Sequence, residues 1–519
     1  MSTEQTPWNL LILDALPPVD NLGALAVGDA DGDGHAEMFV AGEDGLLWYR
    51  PDTFERGIIN DGKYHVGLVL EDVDGDGRME VVTERFDPAA DRWTIVWFKM
   101  GADLGQPWAM HVIDPACEGR AHDIVFADVD GDGAREAIGI AAYCDNPGVF
   151  IYKRGDDPAA HWRKHPVVSG VFAEGTAAAD LTDDGKLEII YGPYWFKQPE
   201  GGPYAGPWQK HTYAPSFREM CRAAAADITG NGSPDIVLVE SEYMEGRMAW
   251  FENRLADSPE SDDSPESDDS PESDDSPESD DSPESDDSAW VRHDMERPLL
   301  YAHSFAVWKE GAATNVFVAE MAHGGWNPPY NWQARLIQYA TEDGGATWKR
   351  DLIDQGAGTH EAQPFDLDGD GALEIAGKEW ARPRVQIWKQ SSEIPKAARF
   401  RHRLLDRDKP MTGTDIVAAD VDGDGKEDVI CAKWWYKNPT WERFEIPQAY
   451  QVINAYDVDG DGRAELIATK EAEHASDNWY GGLSNQLCWL KPVDPLNGEW
   501  ERHRIGMGGG DWPHGNAIA

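Results

Sequence analysis

The chain has 519 residues, of which 45 are Lys or Arg and 96 are Asp or Glu, for a formal net charge of −51. So acidic a chain offers no cationic face for phosphate, which excludes nucleic acid as a partner and argues equally against an anionic membrane surface. No run approaches the ~20 apolar residues of a membrane-spanning helix.

The chain opens Met1-Ser-Thr-Glu-Gln-Thr-Pro7 without a basic segment, and the apolar stretch Leu10–Leu16 is short and carries Asp14. No signal peptide is therefore expected, which implies a cytoplasmic protein unless processing has removed one. From about residue 20 one pattern recurs: a short apolar run, Asp-x-Asp-Gly-Asp-Gly, an acidic residue, then a second apolar run. It reads Asp29, Asp31, Asp33 with Glu37; Asp72, Asp74, Asp76 with Glu80; and Asp128, Asp130, Asp132 with Glu136. Degenerate copies begin at Asp180 (Thr182, Asp184, Glu188) and Asp227 (Thr229, Asn231, Asp235), and a unit near His303–Lys309 has lost its loop. Intact copies return at Asp366, Asp368, Asp370 with Glu374; Asp420, Asp422, Asp424 with Asp428; and Asp457, Asp459, Asp461 with Glu465. A Trp-x-(Arg/Lys)-His marker accompanies the repeat, as in Trp162–His165, Trp208–His211, Trp290–His293 and Trp500–His503.

The flanking runs, such as Ile124-Val-Phe-Ala127 and Asp235-Ile-Val-Leu-Val239, have strand length and are rich in β-branched residues. Each unit reads as four antiparallel strands A to D, with the acidic loop as the A–B turn and the Trp-x-x-His segment on outer strand D. Four strands per 40–60-residue period describe a β-propeller blade, which buries its faces only by stacking on its neighbours. The expected fold is all-β, a single β-propeller over residues 1–519. Nine repeat units are counted, against the seven or eight blades expected.

Residues 258–287 are five copies of Ser-Pro-Glu-Ser-Asp-Asp. The insertion 258–288 falls in a C–D loop and, with no apolar residue to offset its ordering entropy, is expected to be disordered. Cys117, Cys144, Cys221, Cys431 and Cys488 are odd in number and lack Cys-x-x-Cys spacing, so five separate thiols are expected.

Alternating carboxylates around a Gly turn make a hard oxygen cage of the kind Ca²⁺ accepts. These loops resemble the FG-GAP/VCBS repeat family, the repeats of integrin α-chain propellers, over roughly residues 20–519. The resemblance implies structural Ca²⁺ in the six intact A–B loops; Thr182, Thr229 and Asn231 depart from it.

In a propeller the residues opening strand A ring the channel mouth opposite the A–B loops. Six positions before the first loop Asp stand His122 and His360; His303 and His514 share that register in their units, and His65 is one position off. Glu174, Thr414 and Gln451 fill other copies. Converging imidazoles suit Zn²⁺ or Mn²⁺, or general base chemistry; the alternative is a set of solvated pore-lining side chains. The outer-strand histidines His111, His165, His211, His293, His402 and His503 recur with the repeat and are expected to pack. The B–C connections add Glu84, Arg85, Tyr143, Tyr194, Glu242, Lys378, Glu379, Lys433, Lys470, Glu471 and the Gly-, Pro- and aromatic-rich stretch Ala322–Trp332, with His323 and Tyr330.

This histidine pattern on such a propeller is similar to the propeller domain of the aldos-2-ulose dehydratase/isomerase group. The resemblance implies dehydration of a keto-sugar by a metal-dependent lyase. His122, His303, His360 and His514 would hold the transition metal, and His65, His323, Tyr330 and Tyr143 would be acid/base candidates. The cupin domains of that group have no counterpart here. The alternative is a non-catalytic, Ca²⁺-stabilised propeller that binds carbohydrate or protein.

Overall fold

The computed structural model describes residues 8–257, 289–322, 331, 333–380, 384–391, 405–406, 416–470 and 486–507. Their regular secondary structure is almost wholly strand, arranged as nine four-stranded antiparallel sheets. The acidic insertion 258–288 lies outside the described residues, as do His323, Tyr330, His402 and His514.

The chain divides into two compact units, Met1–His402 and Arg403–Ala519. The first holds seven sheets, whose A strands are Ala24–Gly28, Leu68–Glu71, Ile124–Ala127, Thr176–Ala179, Cys221–Ala226, Ala302–Glu310 and Glu361–Phe365. They are numbered one to seven here. Each A strand packs beside the next, and Glu361–Phe365 packs beside Ala24–Gly28, so the series of neighbours ends where it began. The fourth strand of sheet seven is supplied by the other end of the unit: Trp8–Asp14 pairs antiparallel with Arg384–Gln390, placing Leu10 opposite Trp388. The second unit contains sheets eight and nine, with A strands Ile416–Ala419 and Gln451–Tyr456, packed on each other through Val421, Ile430, Trp435, Leu466 and Leu490.

An apolar layer fills each junction between neighbouring sheets of the first unit. Sheets one and two share Phe39, Trp48, Val81 and Phe98; sheets seven and one share Leu25, Met38, Val385 and Ile387. The two faces of every inner strand are thus covered, and strands such as Glu37–Ala41 are buried along their whole length. A strands come close together at the axis: Gly67 has φ of 67°, and a Cβ there would stand 1.9 Å from the Ala121 carbonyl oxygen.

The outer-strand marker has a packing role, as its periodicity implied. His111 stacks on Trp97 at 4.3 Å, His211 on Trp195 at 4.1 Å, His293 on Trp250 at 4.0 Å and His503 on Trp489 at 3.8 Å. Each pair joins strand D to strand C in direct cross-strand register. Among the described residues no disulfide joins the cysteines. Among the described residues no helix is long and apolar enough to cross a membrane.

Candidate functional site

The repeat puts the start of each A strand at the axis of the first unit, and there the sheets stop resembling one another. Sheets two, three, four, six and seven present His65, His122, Glu174, His303 and His360, whereas the same register in sheets one and five holds Gly23 and Cys221. The imidazoles of His303 and His360 stack at 4.0 Å, and His122 lies 6.1 Å from His303. Trp380 bridges to the fourth histidine, 4.8 Å from His360 and 4.9 Å from His65. The structure thus gathers His65, His122, His303 and His360; His514, called to the same ring, belongs to the second unit and lies outside the described residues.

Neighbouring groups set the ring nitrogens. His303 Nδ1 is 2.8 Å from the His360 carbonyl oxygen, which only an N–H can satisfy, so its Nε2 keeps a lone pair. That Nε2 is 3.5 Å from Glu242 Oε1 and 3.1 Å from an Arg222 nitrogen. His360 Nδ1 is 2.5 Å from Lys378 Nζ, which also donates to the carbonyl oxygens of Leu22, at 2.6 Å, and Gly23. Arg120 donates to His65 Nε2 at 2.7 Å. Burial, joined by nearby cations, lowers His65 to about 3 and holds His303 and His360 well below the ordinary imidazole range. Burial likewise takes His122 to about 3, against the pull of Glu174. All four are therefore neutral at physiological pH; a metal at His303 or His360 would have to displace the Arg222 or Lys378 contact to reach the ring lone pair.

Carboxylates lie among them. Glu174 is fully buried: its Oε1 accepts from the Tyr143 hydroxyl at 2.7 Å, its Oε2 from Ser241 Oγ at 2.6 Å, and its Oε1 is 3.8 Å from His122 Nε2. Glu84 is also fully buried, caps the backbone N–H groups of Val66 and Ala121, and is pushed up to about 7 by burial. Burial raises Lys378 in cost as well, lowering its pKa to about 7, and raises Glu242 and Tyr143, the latter helped by the Glu174 carboxylate. Tyr143 and Glu242 occupy equivalent B–C turns of sheets three and five, and both have positive φ, 54° and 58°.

One ligand atom each of Glu242, His303 and His360 lies within 4.8 Å of the other two. Tetrahedral ligands at 2.0–2.1 Å from an ion stand about 3.4 Å apart, and the 3.5 Å between Glu242 and His303 matches that edge. The donor set, two neutral imidazoles and a carboxylate, suits Zn²⁺ or Mn²⁺. A cavity of about 90 Å³ adjoins it, lined by His122, Asp123, Arg222, His303, Glu361 and Gln363 among others. It has room for a few waters.

The reading by register found the histidines and Glu174, and the B–C connections supplied Tyr143 and Glu242. It missed Arg120 and Arg222. Arg222 stands one position into its strand, aligned with Asp123 and Glu361, so counting only the opening residue passes over it. Burial works against its charge, but Glu361 and Asp123 hold it above the ordinary guanidinium value.

The acidic loops lie on the other connections of the sheets. In each intact copy the first Asp accepts backbone N–H groups across its own turn, as Asp29 does from Gly32, Asp33 and Gly34, and the ninth-position acid accepts from the second residue, as Glu37 does from Ala30. Carboxylate oxygens of Asp29, Asp31 and Asp33, and of the corresponding residues in the Asp72 and Asp128 loops, lie within 4.8 Å of one another.

Residues 15–83 match the FG-GAP-like repeat family. No curated protein matches the chain. Among solved structures, the chain is similar to YCF48 from Cyanidioschyzon merolae at 11% identity and TM-score 0.39, covering 73% of this chain and 98% of that one. It is similar to the V. cholerae biofilm matrix protein Bap1 at 12% identity and TM-score 0.32, covering 96% and 83%. It is also similar to an Agrocybe aegerita lectin, described by its recognition of non-reducing terminal N-acetylglucosamine, at 13% identity and TM-score 0.39, covering 72% and 87%.

Proposed function

We propose that the axial cluster of the first unit is the site of a metal-dependent carbon–oxygen lyase that dehydrates a keto-sugar. The observation that carries this reading is the grouping of Glu242, His303 and His360, with both imidazoles neutral, beside the Tyr143–Glu174 pair. Glu242, His303 and His360 would hold Zn²⁺ or Mn²⁺. Bound there, the ion would supply Lewis-acid polarisation of a substrate carbonyl, which acidifies the adjacent C–H.

The remaining chemistry falls to the chain. Tyr143 is half exposed while Glu174 behind it is buried, so the phenol is the group that meets substrate. Its oxygen takes the α-proton as its own proton passes to Glu174 Oε1 along the 2.7 Å hydrogen bond. The C–H bond breaks, the carbon–carbon double bond forms, and the β-hydroxyl departs with the proton returned through the same pair. The products are an enone and water, and the pair ends as it began. Trp380, beside both His65 and His360, supplies an aromatic face for a sugar ring.

Elemental analysis of the purified chain and of Glu242→Gln, His303→Ala and His360→Ala tests the site. About one Zn or Mn per chain, lost in all three variants, is expected. Tyr143→Phe should keep the metal and lose enone absorbance when keto-sugars are screened. A chain with no transition metal, or a metal content indifferent to all three substitutions, overturns the reading and leaves the non-catalytic binding propeller as the better account.

A further inference from the structure

We infer that the cation closing each intact acidic loop is the chain's own Lys or Arg, so that the six loops are self-neutralised and Ca²⁺ enters only by displacing it. The Ca²⁺ implied by the repeat resemblance does not fit carboxylates that already hold a cation.

The six cations are Arg50, Lys99, Lys153, Lys389, Lys437 and Lys491, each at the same place on strand C of its sheet. They follow a recurrent pair of large apolar residues, as in Trp97-Phe98-Lys99, Trp48-Tyr49-Arg50 and Trp435-Tyr436-Lys437. The place is fixed by register: Ala137 pairs with Tyr152, so Lys153 stands across from Glu136, the ninth-position acid. Its Nζ is 2.9 Å from Asp130, 2.6 Å from Asp132 and 2.7 Å from Glu136, which are the third, fifth and ninth ligand positions of the loop. Lys389 likewise reaches Asp368 at 2.5 Å, Asp370 at 3.4 Å and Glu374 at 2.8 Å. Arg50, Lys99, Lys437 and Lys491 each bridge the third and fifth positions of their own loops. The single positive charge sits among two or three carboxylates whose mutual repulsion would otherwise open the turn.

Sheets five and six supply an internal control, because there the third- and fifth-position loop carboxylates and the strand-C cation are absent together. In sheet five the third and fifth positions are Thr229 and Asn231, and the strand-C residue is Glu252, which pairs instead with Arg254 and His293. In sheet six, which has no acidic loop, the corresponding cross-strand pair is Asn315 and Ala340. Sheet four keeps Lys197 but has Thr182 at the third position, whose hydroxyl donates to Glu188; among the described residues Lys197 forms no ion pair. A lysine retained only for solubility would have no reason to follow the loop carboxylates in this way.

The test is calcium binding and thermal unfolding of the full chain with CaCl₂ and with EDTA, for wild type, Lys153→Met and, in a different sheet, Lys389→Met. Wild type should melt at the same temperature in both conditions. Each variant should gain one calcium site at least tenfold tighter than any in wild type and melt higher in calcium than in EDTA. Either variant alone carries the test if the other does not fold. Several tight calcium sites in wild type, with EDTA lowering its melting temperature and neither substitution altering affinity, would overturn the inference. The lyase reading does not depend on this result, since its metal is scored as Zn or Mn on other residues.

Discussion

The seven-sheet cycle of the first unit rests on a strand far from its partner in sequence, and a substitution pair measures what that strand contributes. Leu10 is 8% exposed and packs with Phe317, Leu336 and Trp388 at the junction of sheets six and seven. Ile12, two residues along the same strand, is 37% exposed. Truncating a buried Leu loses its transfer free energy and leaves a partly collapsed cavity, so Leu10→Ala should cost about 3 kcal/mol. Ile12→Ala should cost under about 1 kcal/mol. For a unit of the size of Met1–His402, the entropy of unfolding is roughly 0.8 kcal/mol/K, so the two variants should melt about 4 °C and about 1 °C below wild type. Differential scanning calorimetry reads both transitions directly. Equal shifts for the two variants would mean that Trp8–Asp14 is not seated on Arg384–Gln390, and the cycle of sheets would lose its seventh outer strand.

Glu84 is buried with its pKa raised from 4.5 to about 7, so its contribution to stability is fully present below pH 4.5 and lost as pH rises through 7. Between pH 5 and 8 the stability of wild type relative to Glu84→Gln should therefore fall by about 2–3 kcal/mol in denaturant titrations, and a pH-independent difference would contradict it. Gly67→Ala combines positive φ with a Cβ 1.9 Å from the Ala121 carbonyl oxygen, so it should lower the melting temperature more than Leu10→Ala or prevent folding; a soluble variant of wild-type stability would refute the close approach.

The repeat was legible because strand and turn chemistry are local. The spacing of Asp, Gly and apolar runs is enough to place an A–B hairpin, and the Trp-x-x-His marker is enough to place an outer strand, whose histidine meets a strand-C Trp in four sheets and Tyr204 in the case of His165. The completion of sheet seven was not legible, because it depends on Trp8–Asp14, a segment with neither marker that pairs with residues almost 380 positions later. Nothing in the local pattern of Leu10-Leu11-Ile12 distinguishes that partner from any other edge. The axial histidines were found because they break the repeat at a fixed register. Arg222 and Arg120 were not, since the consensus says nothing of the neighbours of that register. The strand-C cations sat in plain view as Phe98-Lys99, Tyr152-Lys153 and Tyr436-Lys437, but their meaning needed the cross-strand pairing that brings them onto the loop acids.

The departures from symmetry carry the functional argument, and the backbone supports them independently of the side-chain chemistry. Tyr143 and Glu242 hold the same place in the B–C turns of alternate sheets, and each adopts a left-handed conformation that costs a residue with a Cβ about 1–2 kcal/mol. Glycine would fill either turn without that cost, as it does at many positive-φ positions in this chain. What glycine cannot supply is a phenol 2.7 Å from Glu174 or a carboxylate 3.5 Å from His303 Nε2. Left-handed backbone also occurs at other turns, such as Ala432, but at these two the side chain reaches the axial cluster, next to imidazoles kept neutral by burial and a lysine pressed between His360 and two carbonyl oxygens. On the proposed lyase reading, these features together are what a site holding a carboxylate and a proton relay in fixed relation would use.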